Sequence, residues 1–524
     1  MASTLPITND AVREFEALLG VERVVTSDDE LLAWRDPFQH ATWDDYTASA
    51  VVLPETVEEV QEVVRIAARR GVPLWTHSTG RNNGYGGPAP RVKGSVIVSL
   101  RRMNRVLEID EECAYAVVEP GVRWFDLYEA IRDGGHRLML SVADLGWGSV
   151  IGNTLDHGIT YLPQGLDQGM QCGMEVVLAN GEVMRTGMGA LPGSRAWHVY
   201  KRGLGPTPDQ LFMQSNFGIV TKMGVWLLPY PEVYMPVWLR VWRDDDLGPA
   251  VDTLRRLMLD GTIRMVPQLM NTHLLASVLS KRDLWYTGEG PIPDATVDEM
   301  ARGLELGRWT GRMALYGDEV VVDHRFAKIK EAFERIPGAE VWGSKCAPED
   351  IPTLEHPVDR IQGGVPNLDL NTMTGWYGGE EGGHIGFSPV APLTGHDATA
   401  LRDLLRGMIE EAGLDYIAAL LAVSARSFVH ITMVIFDTKS EEQTRAAYDV
   451  SKRLVREAAK RGYGEYRAHL DFMDLASDQY SFGGHVYRRF CETIKDALDP
   501  NGILSPGKQG IWPASMREGG GLPF

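Results

Sequence analysis

Cysteine is scarce and scattered: four in 524 residues, Cys113, Cys172, Cys346 and Cys491, with no CxxC pair. That excludes a disulfide framework and a thiolate zinc site, so no metal is expected, and it suits a reducing, cytoplasmic setting. Long Lys/Arg runs are missing and the formal net charge is −19, a surface that repels phosphate backbones and argues against a nucleic-acid partner. No run of about 18 apolar residues occurs, which excludes a helical membrane span. The N-terminus MASTLPITNDAVREFEALLG has no basic segment ahead of an apolar core, so no export signal is expected. Internal repeats and low-complexity tracts are also absent. At this length the chain should divide into at least two domains, each with its own core.

What the sequence does have is glycine in a telling place. Ser78-Thr79-Gly80-Arg81-Asn82-Asn83-Gly84-Tyr85-Gly86-Gly87 follows an apolar strand, and such a loop can fold its N–H groups into a nest for an anion such as a pyrophosphate. It matches neither GxGxxG nor GxxxxGK[ST], so the two commonest nucleotide motifs lose their support. Upstream, Ala50–Leu53 reads as a strand. Thr56 and Glu59 read as a capping box, Val57, Val60, Val63, Val64, Ala67 and Ala68 as one helical face, and Gly71 as the helix stop. Val72–Thr76 returns as a strand, giving a βαβ unit that delivers its loop at a strand's C-terminal end.

Further strands are expected at Ser95–Leu100 and Ala114–Val118, a helix near Trp124–Arg132, and a glycine-spaced segment over Asp144–Gly158. The prolines of Trp226-Leu227-Leu228-Pro229-Tyr230-Pro231 mark a boundary near Val233. Beyond it strands such as Phe428–Phe436 alternate with amphipathic helices such as Glu441–Arg461, as in a sheet covered by helices. The last 60 residues do not read as a linker tail and are expected to pack back on the first domain.

Seven segments in register, STGRNNGYGG, ADLGWGSVIGNTLDHG, GMEVVLANGEVMRTGMGALPG, SNFGIVTKMG, GGHIGFSPV, GYGEYRAH and DPNGILSPGKQGIW, resemble the vanillyl-alcohol oxidase family of FAD enzymes, closest to its bacterial eugenol oxidase and 4-alkylphenol oxidase members. The resemblance implies an α+β, two-domain FAD-binding fold of the PCMH/VAO type with an inserted cap domain of antiparallel sheet covered by helices. Residues 1–235 and 463–524 would form the FAD-binding domain and 236–462 the cap. Relatives form dimers or larger assemblies, so a homo-oligomer is expected.

Residue by residue, the resemblance implies a phenol clamp of Tyr85, Tyr466 and Arg467. A fixed cation and hydroxyl donors would favour the phenolate and make the benzylic hydride easier to remove. Asp144 would lie beside the reacting carbon as a base toward water. Relatives usually carry proline before it, whereas Ala143 stands here, which puts the carboxylate's placement in question. His384 matches the position of a covalent histidyl link to FAD, and the flavocytochrome members carry tyrosine there, so His384 favours the oxygen-using branch. Ser78, Thr79, Gly80, Arg81, Asn82, Asn83, Leu145, Gly148, Ser149, Asn153, Asp156, Gly158, Gly218, Ile219, Val220, Arg467 and Lys508 would line the FAD. Ile159, Tyr161, Gly386, Ser388, Ala419 and Leu421 would line the substrate pocket. Ala419 should leave more room beside the ring than the polar residue of eugenol-type relatives. Tyr161-Leu162-Pro163-Gln164-Gly165-Leu166-Asp167 departs from the relatives' Tyr-Gly-Asp-His continuation.

The implied activity is oxidation of para-substituted phenols, such as 4-alkylphenols, eugenol and other 4-allylphenols, and 4-hydroxybenzyl alcohols, with dioxygen reduced to hydrogen peroxide. Three alternatives stay open. One is a dehydrogenase or hydroxylase using another electron acceptor, and another is an aldonolactone or hydroxy-acid oxidase of the same fold. The third is a flavoprotein that binds FAD and a partner without turnover. The last two have no use for a phenolate clamp.

Overall fold

A computed structural model describes residues 7–163 and 167–517; Gln164, Gly165 and Leu166 of the departing segment fall outside it. The first layer is a four-stranded sheet. Strands Ala50–Val52 and Leu74–His77 flank Val96–Ser99, each running parallel to it, and Val24–Val25 pairs antiparallel at the edge. The βαβ unit read from sequence is therefore opened by a third strand inserted between its two. The valines and isoleucine of its three parallel strands are buried on both faces, as parallel strands demand.

The crossover helix Val57–Arg70 starts where the Thr56 side chain accepts the Glu59 N–H at 3.2 Å, while the Glu59 carboxylate reaches back to the Glu55 N–H at 2.7 Å. It ends at Gly71, whose left-handed φ of 63° suits glycine. Val60, Val63, Val64, Ile66 and Ala67 form its buried face.

The second layer is a five-stranded antiparallel sheet. Its spatial order is Val106–Asp110, Tyr115–Val118, Ile219–Trp226, Gln171–Val177 and Val183–Arg185. Helices Trp124–Asp133 and Val150–Leu155 fall between its strands in sequence. The glycine-spaced segment is thus partly helical: the Ser149 side chain caps Val150–Leu155 by accepting the Gly152 N–H at 2.9 Å.

A third sheet has eight strands: seven follow the order Glu340–Gly343, Val233–Val241, Trp309–Gly317, Gln268–Asn271, Ile417–Ser424, Ser427–Asp437 and Gly382–Phe387, and the eighth, Val390–Pro392, also pairs with Ser427–Asp437; every pairing is antiparallel. Amphipathic helices Leu247–Leu259, Glu319–Phe333, Gly395–Glu411 and Glu441–Lys460 pack on it and on one another.

The chain then returns to the first layer. Leu74 donates to the Ile503 carbonyl at 2.7 Å and accepts from Ser505 N–H at 2.8 Å. Fully buried Lys495 fixes this return by donating to Asp499 (2.6 Å), the Leu504 carbonyl (2.6 Å) and the Asn216 carbonyl (2.8 Å). Among the described residues no helix is long and apolar enough to cross a membrane.

Candidate active site

The glycine loop is stitched to the strand Gly382–Phe387 of the third sheet. Gly84, at φ +77°, accepts the Gly386 N–H at 2.9 Å, and a Cβ on Gly84 would collide with the imidazole of His384. A Cβ on Gly386 would in turn lie 2.7 Å from Tyr85 Cζ. Both glycines are required by close approach, one of the loop to a histidine and one of a strand to a tyrosine.

Tyr85 Oη lies 3.2 Å from Ser388 Oγ, and the Arg467 guanidinium stacks over the Tyr85 ring at 4.4 Å. Arg467 donates to Asn82 Oδ1 and faces Asp156 at 4.0 Å, while Lys508 approaches Asp156 at 3.3 Å. Burial would push the Asp156 carboxyl up, but Lys508 and Arg467 outweigh it and hold the group below its ordinary value. Burial likewise disfavours the Arg467 cation, yet Asp156, Tyr85 and Tyr466 more than compensate. Tyr85 is raised by burial, with Arg467 opposing, so at neutral pH it carries its proton and can donate. Tyr466 is positioned through its backbone: its N–H donates to the Ser388 carbonyl (3.3 Å) and its carbonyl accepts from Gln214 (2.8 Å). Glu465 beside it, not foreseen from sequence, is a buried carboxyl raised well above the ordinary range by desolvation.

Next to this cluster opens an elongated cleft. Ser78, Thr79, Gly80, Arg81, Asn82, Gly148, Ser149, Asn153, Asp156, Gly218, Ile219, Val220 and Lys508 line it together with Tyr85 and Arg467; Asn83, Leu145 and Gly158 do not. The sequence reading missed Thr76, His77, Ser215 and Asn216, which line the same cleft. Six buried polar atoms of cleft residues have no hydrogen-bond partner among the described residues: Thr76 Oγ1, His77 Nε2, Asn153 Nδ2, Ser215 Oγ, Asn216 Oδ1 and Arg467 Nε. Buried polar groups are seldom left unpaired, so their concentration in one cleft fits an elongated, polar dinucleotide such as FAD.

His384 is not part of that lining. It sits on the strand Gly382–Phe387, against Gly84 and 5.1 Å from the Phe38 ring. Its Nδ1 is buried without a partner, and desolvation lowers its pKa to about 4, so at neutral pH the imidazole is uncharged with a lone pair free.

Asp144 is held from both sides. Arg312 Nη2 donates to Oδ1 at 2.7 Å and the Tyr161 hydroxyl donates to Oδ2. Arg312 Nε donates to Gln268 Oε1 at 2.8 Å, and its guanidinium lies 4.8 Å over the Tyr161 ring. Antiparallel pairing puts Gln268 directly opposite Arg312. Burial disfavours the Arg312 charge, but Asp144 and Tyr161 reverse the shift. With alanine rather than proline at position 143, side chains on both carboxylate oxygens fix Asp144. Arg312 and Gln268 were not foreseen; their one sequence signal is a polar residue within each of two apolar strand segments.

These four residues line a second chamber, which Ala419 and Leu421 also line. Ile159, Gly386 and Ser388 are not among its lining residues; Gly386 and Ser388 contact Tyr85 instead. No group of three or more His, Cys, Asp or Glu able to hold a metal occurs among the described residues.

Residues 48–187 match the FAD binding domain model, and residues 396–509 the model for the C-terminal domain of FAD linked oxidases. The 4-cresol dehydrogenase (hydroxylating) flavoprotein subunit of Pseudomonas putida is 37% identical over 96% of this chain and 95% of its own. The solved 4-ethylphenol oxidase from Gulosibacter chungangensis, in its isoeugenol complex, is 40% identical with a TM-score of 0.93, covering 98% of this chain and all of that one. p-Cresol methylhydroxylase with substrate bound is 37% identical with a TM-score of 0.90, covering 97% and 99%. The fold is thus the two-domain FAD-binding fold expected from sequence. With a relative of this identity aligned over nearly its whole length and the polar cleft that suits the cofactor, the chain belongs to the vanillyl-alcohol oxidase family of FAD-linked oxidoreductases.

Proposed function

We propose that this chain is an oxidase of para-substituted phenols, including 4-alkylphenols, 4-allylphenols such as eugenol and 4-hydroxybenzyl alcohols, with dioxygen as the electron acceptor. The observation that carries the proposal is the Arg467 cation, stacked on Tyr85 and electrostatically coupled to both Tyr85 and Tyr466. A hydroxy acid or lactone would need no such grouping. We divide the chain into an FAD-binding part, 1–235 with 463–524, and a cap, 236–462.

Bound FAD supplies the acceptor for a hydride. Residues from Ser78 to Asn82, Ser149, Asn153, Asp156, Ser215, Asn216 and Lys508 would hold it, and neutral His384 offers the nitrogen for a covalent link. Arg467 stabilises the substrate as phenolate, and the Tyr85 and Tyr466 hydroxyls donate to the same oxygen. Negative charge delocalised to the para position weakens the benzylic C–H bond. Loss of the phenol proton and a hydride leaves a p-quinone methide. Water then adds at the benzylic carbon while Asp144 takes its proton, or a proton leaves the neighbouring carbon to give the alkene. Dioxygen takes up the two electrons with two protons, equivalent to the hydride and the phenol proton lost by the substrate, and leaves as hydrogen peroxide.

Oxygen uptake with 4-ethylphenol tests the acceptor. The proposal expects one peroxide for each substrate oxidised. Turnover only with a cytochrome or quinone-type dye would make the chain a dehydrogenase, as the Pseudomonas putida relative is named. A mass spectrum of the unfolded chain tests the covalent link, and a mass without the added flavin removes His384 from that role.

A further inference from the structure

The chamber behind Asp144 has walls that a small phenol does not need. Its floor comes from the cap strands Gln268–Asn271, Ile417–Ser424 and Ser427–Asp437, through Met270, Ala419, Leu421 and Ile431. Its roof comes from helix Thr272–Leu279 and helix Pro357–Gln362, through Leu274, Val278 and Ile361. None of Tyr85, Tyr466 and Arg467 lines it. Asp144 does line it, so a substrate whose phenol end is held by the clamp and whose reacting carbon lies beside Asp144 would direct its para-substituent toward the chamber.

Charge inside it is arranged with one sign in excess. Arg312 is the only cation among the described lining residues, and it is already engaged by Asp144 at 2.7 Å and Gln268 at 2.8 Å. Asp369 adds a second carboxyl group to the lining. An anionic group entering here would lose its hydration and meet carboxylates without a free cation to pair with. An alkyl chain would instead exchange water for aliphatic walls, a gain that grows with each methylene buried.

Resting on the phenol-oxidation reading above, we propose that this chamber is a subsite for an uncharged, apolar para-substituent longer than ethyl, and that it rejects para-chains ending in a carboxylate. Selectivity then comes from two sources: aliphatic surface that rewards chain length, and the Asp144–Arg312 pair, which leaves no counter-ion for an acid.

The test uses the FAD-loaded enzyme with 4-ethylphenol, 4-hexylphenol and 6-(4-hydroxyphenyl)hexanoic acid. Each methylene is expected to raise kcat/KM by up to about fourfold until the chamber fills, so 4-hexylphenol should exceed 4-ethylphenol at least tenfold. The acid should fall at least tenfold below 4-hexylphenol. Replacing Val278→Trp should collapse the hexyl-to-ethyl ratio toward one, and Ile361→Phe gives a second filling variant if the first does not fold. Equal or poorer use of 4-hexylphenol by the wild-type enzyme would overturn the proposal while leaving phenol oxidation intact, as would an acid used as well as the hexyl compound. Failure of 4-ethylphenol itself to reduce the flavin would overturn the underlying reading, and this proposal with it.

Discussion

The cleft beside the glycine loop and the chamber behind Asp144 make opposite demands on what fills them. The cleft presents unpaired polar atoms from Thr76, Asn153, Ser215, Asn216 and Arg467 and close backbone approaches at glycine. The chamber presents aliphatic side chains around a single ion pair that is internally satisfied. The first can bind only a ligand able to supply many hydrogen bonds in a fixed order. The second discriminates by size and charge. On the proposed reading, specificity for the cofactor would be built from backbone and small residues, and specificity for the substrate chain from the packing of the third sheet and its helices.

That contrast can be broken most severely at Lys495. Replacing it by Met leaves Asp499 buried without its cation and frees the Asn216 and Leu504 carbonyls. The expected loss is about 3–5 kcal/mol of local stability. It should appear as a lower melting temperature and loss of FAD, with the cap sheet unaffected, and an unchanged melting temperature would contradict it. Next comes Arg467→Ala. Removing the cation should lower kcat/KM for phenols about a hundred- to a thousandfold with flavin absorbance retained, and full activity would remove the clamp from the mechanism.

Acid should weaken the whole molecule by a different route. Burial holds His77 and His430 at about 3 and His273 at about 4, against 6.5 in the unfolded chain. The unfolded state therefore binds more protons below pH 6.5. The stability tied to keeping each ring neutral is complete above that pH and is lost as pH falls toward the folded value, by about 1.4 kcal/mol per unit and per ring. Melting temperature measured from pH 7 to pH 4.5 should drop steeply, and the fall should be shallower in His430→Gln. A flat profile would show that these rings are protonated in the fold. The smallest effect sharpens the chamber side. Ala419→Gln should shift selectivity among ring- and chain-substituted phenols several-fold without displacing FAD, because it adds a polar group to an aliphatic wall. Unchanged selectivity would argue that position 419 does not bear on the bound substrate.

The cleft was largely legible in the sequence, because its wall is made of contiguous segments whose glycines and small residues announce close approach. The strands and helices of the first layer could be placed within a residue or two for the same reason: their periodicity is local. Register across strands is not local. Nothing in Gln268-Leu269-Met270 or Gly311-Arg312-Met313 states that the two polar residues will face one another, or that Arg312 will grip Asp144, more than a hundred positions earlier. The insertion of Val96–Ser99 between the two strands of the βαβ unit was hidden for the same reason, since pairing order depends on the whole sheet. Asn83, Leu145 and Gly158 belong to cleft-forming segments but do not line the cleft, which shows that a motif marks a segment more reliably than it marks each side chain.

The central claim is that Tyr85, Tyr466 and Arg467 activate a phenol for hydride loss to bound FAD. The most direct test is the visible spectrum of the flavin-loaded protein, free of oxygen, before and after 4-ethylphenol, followed by admission of air. Rapid bleaching by the phenol and return of the oxidised flavin in air is the predicted result. An oxidised spectrum that persists in the presence of excess phenol would contradict the account.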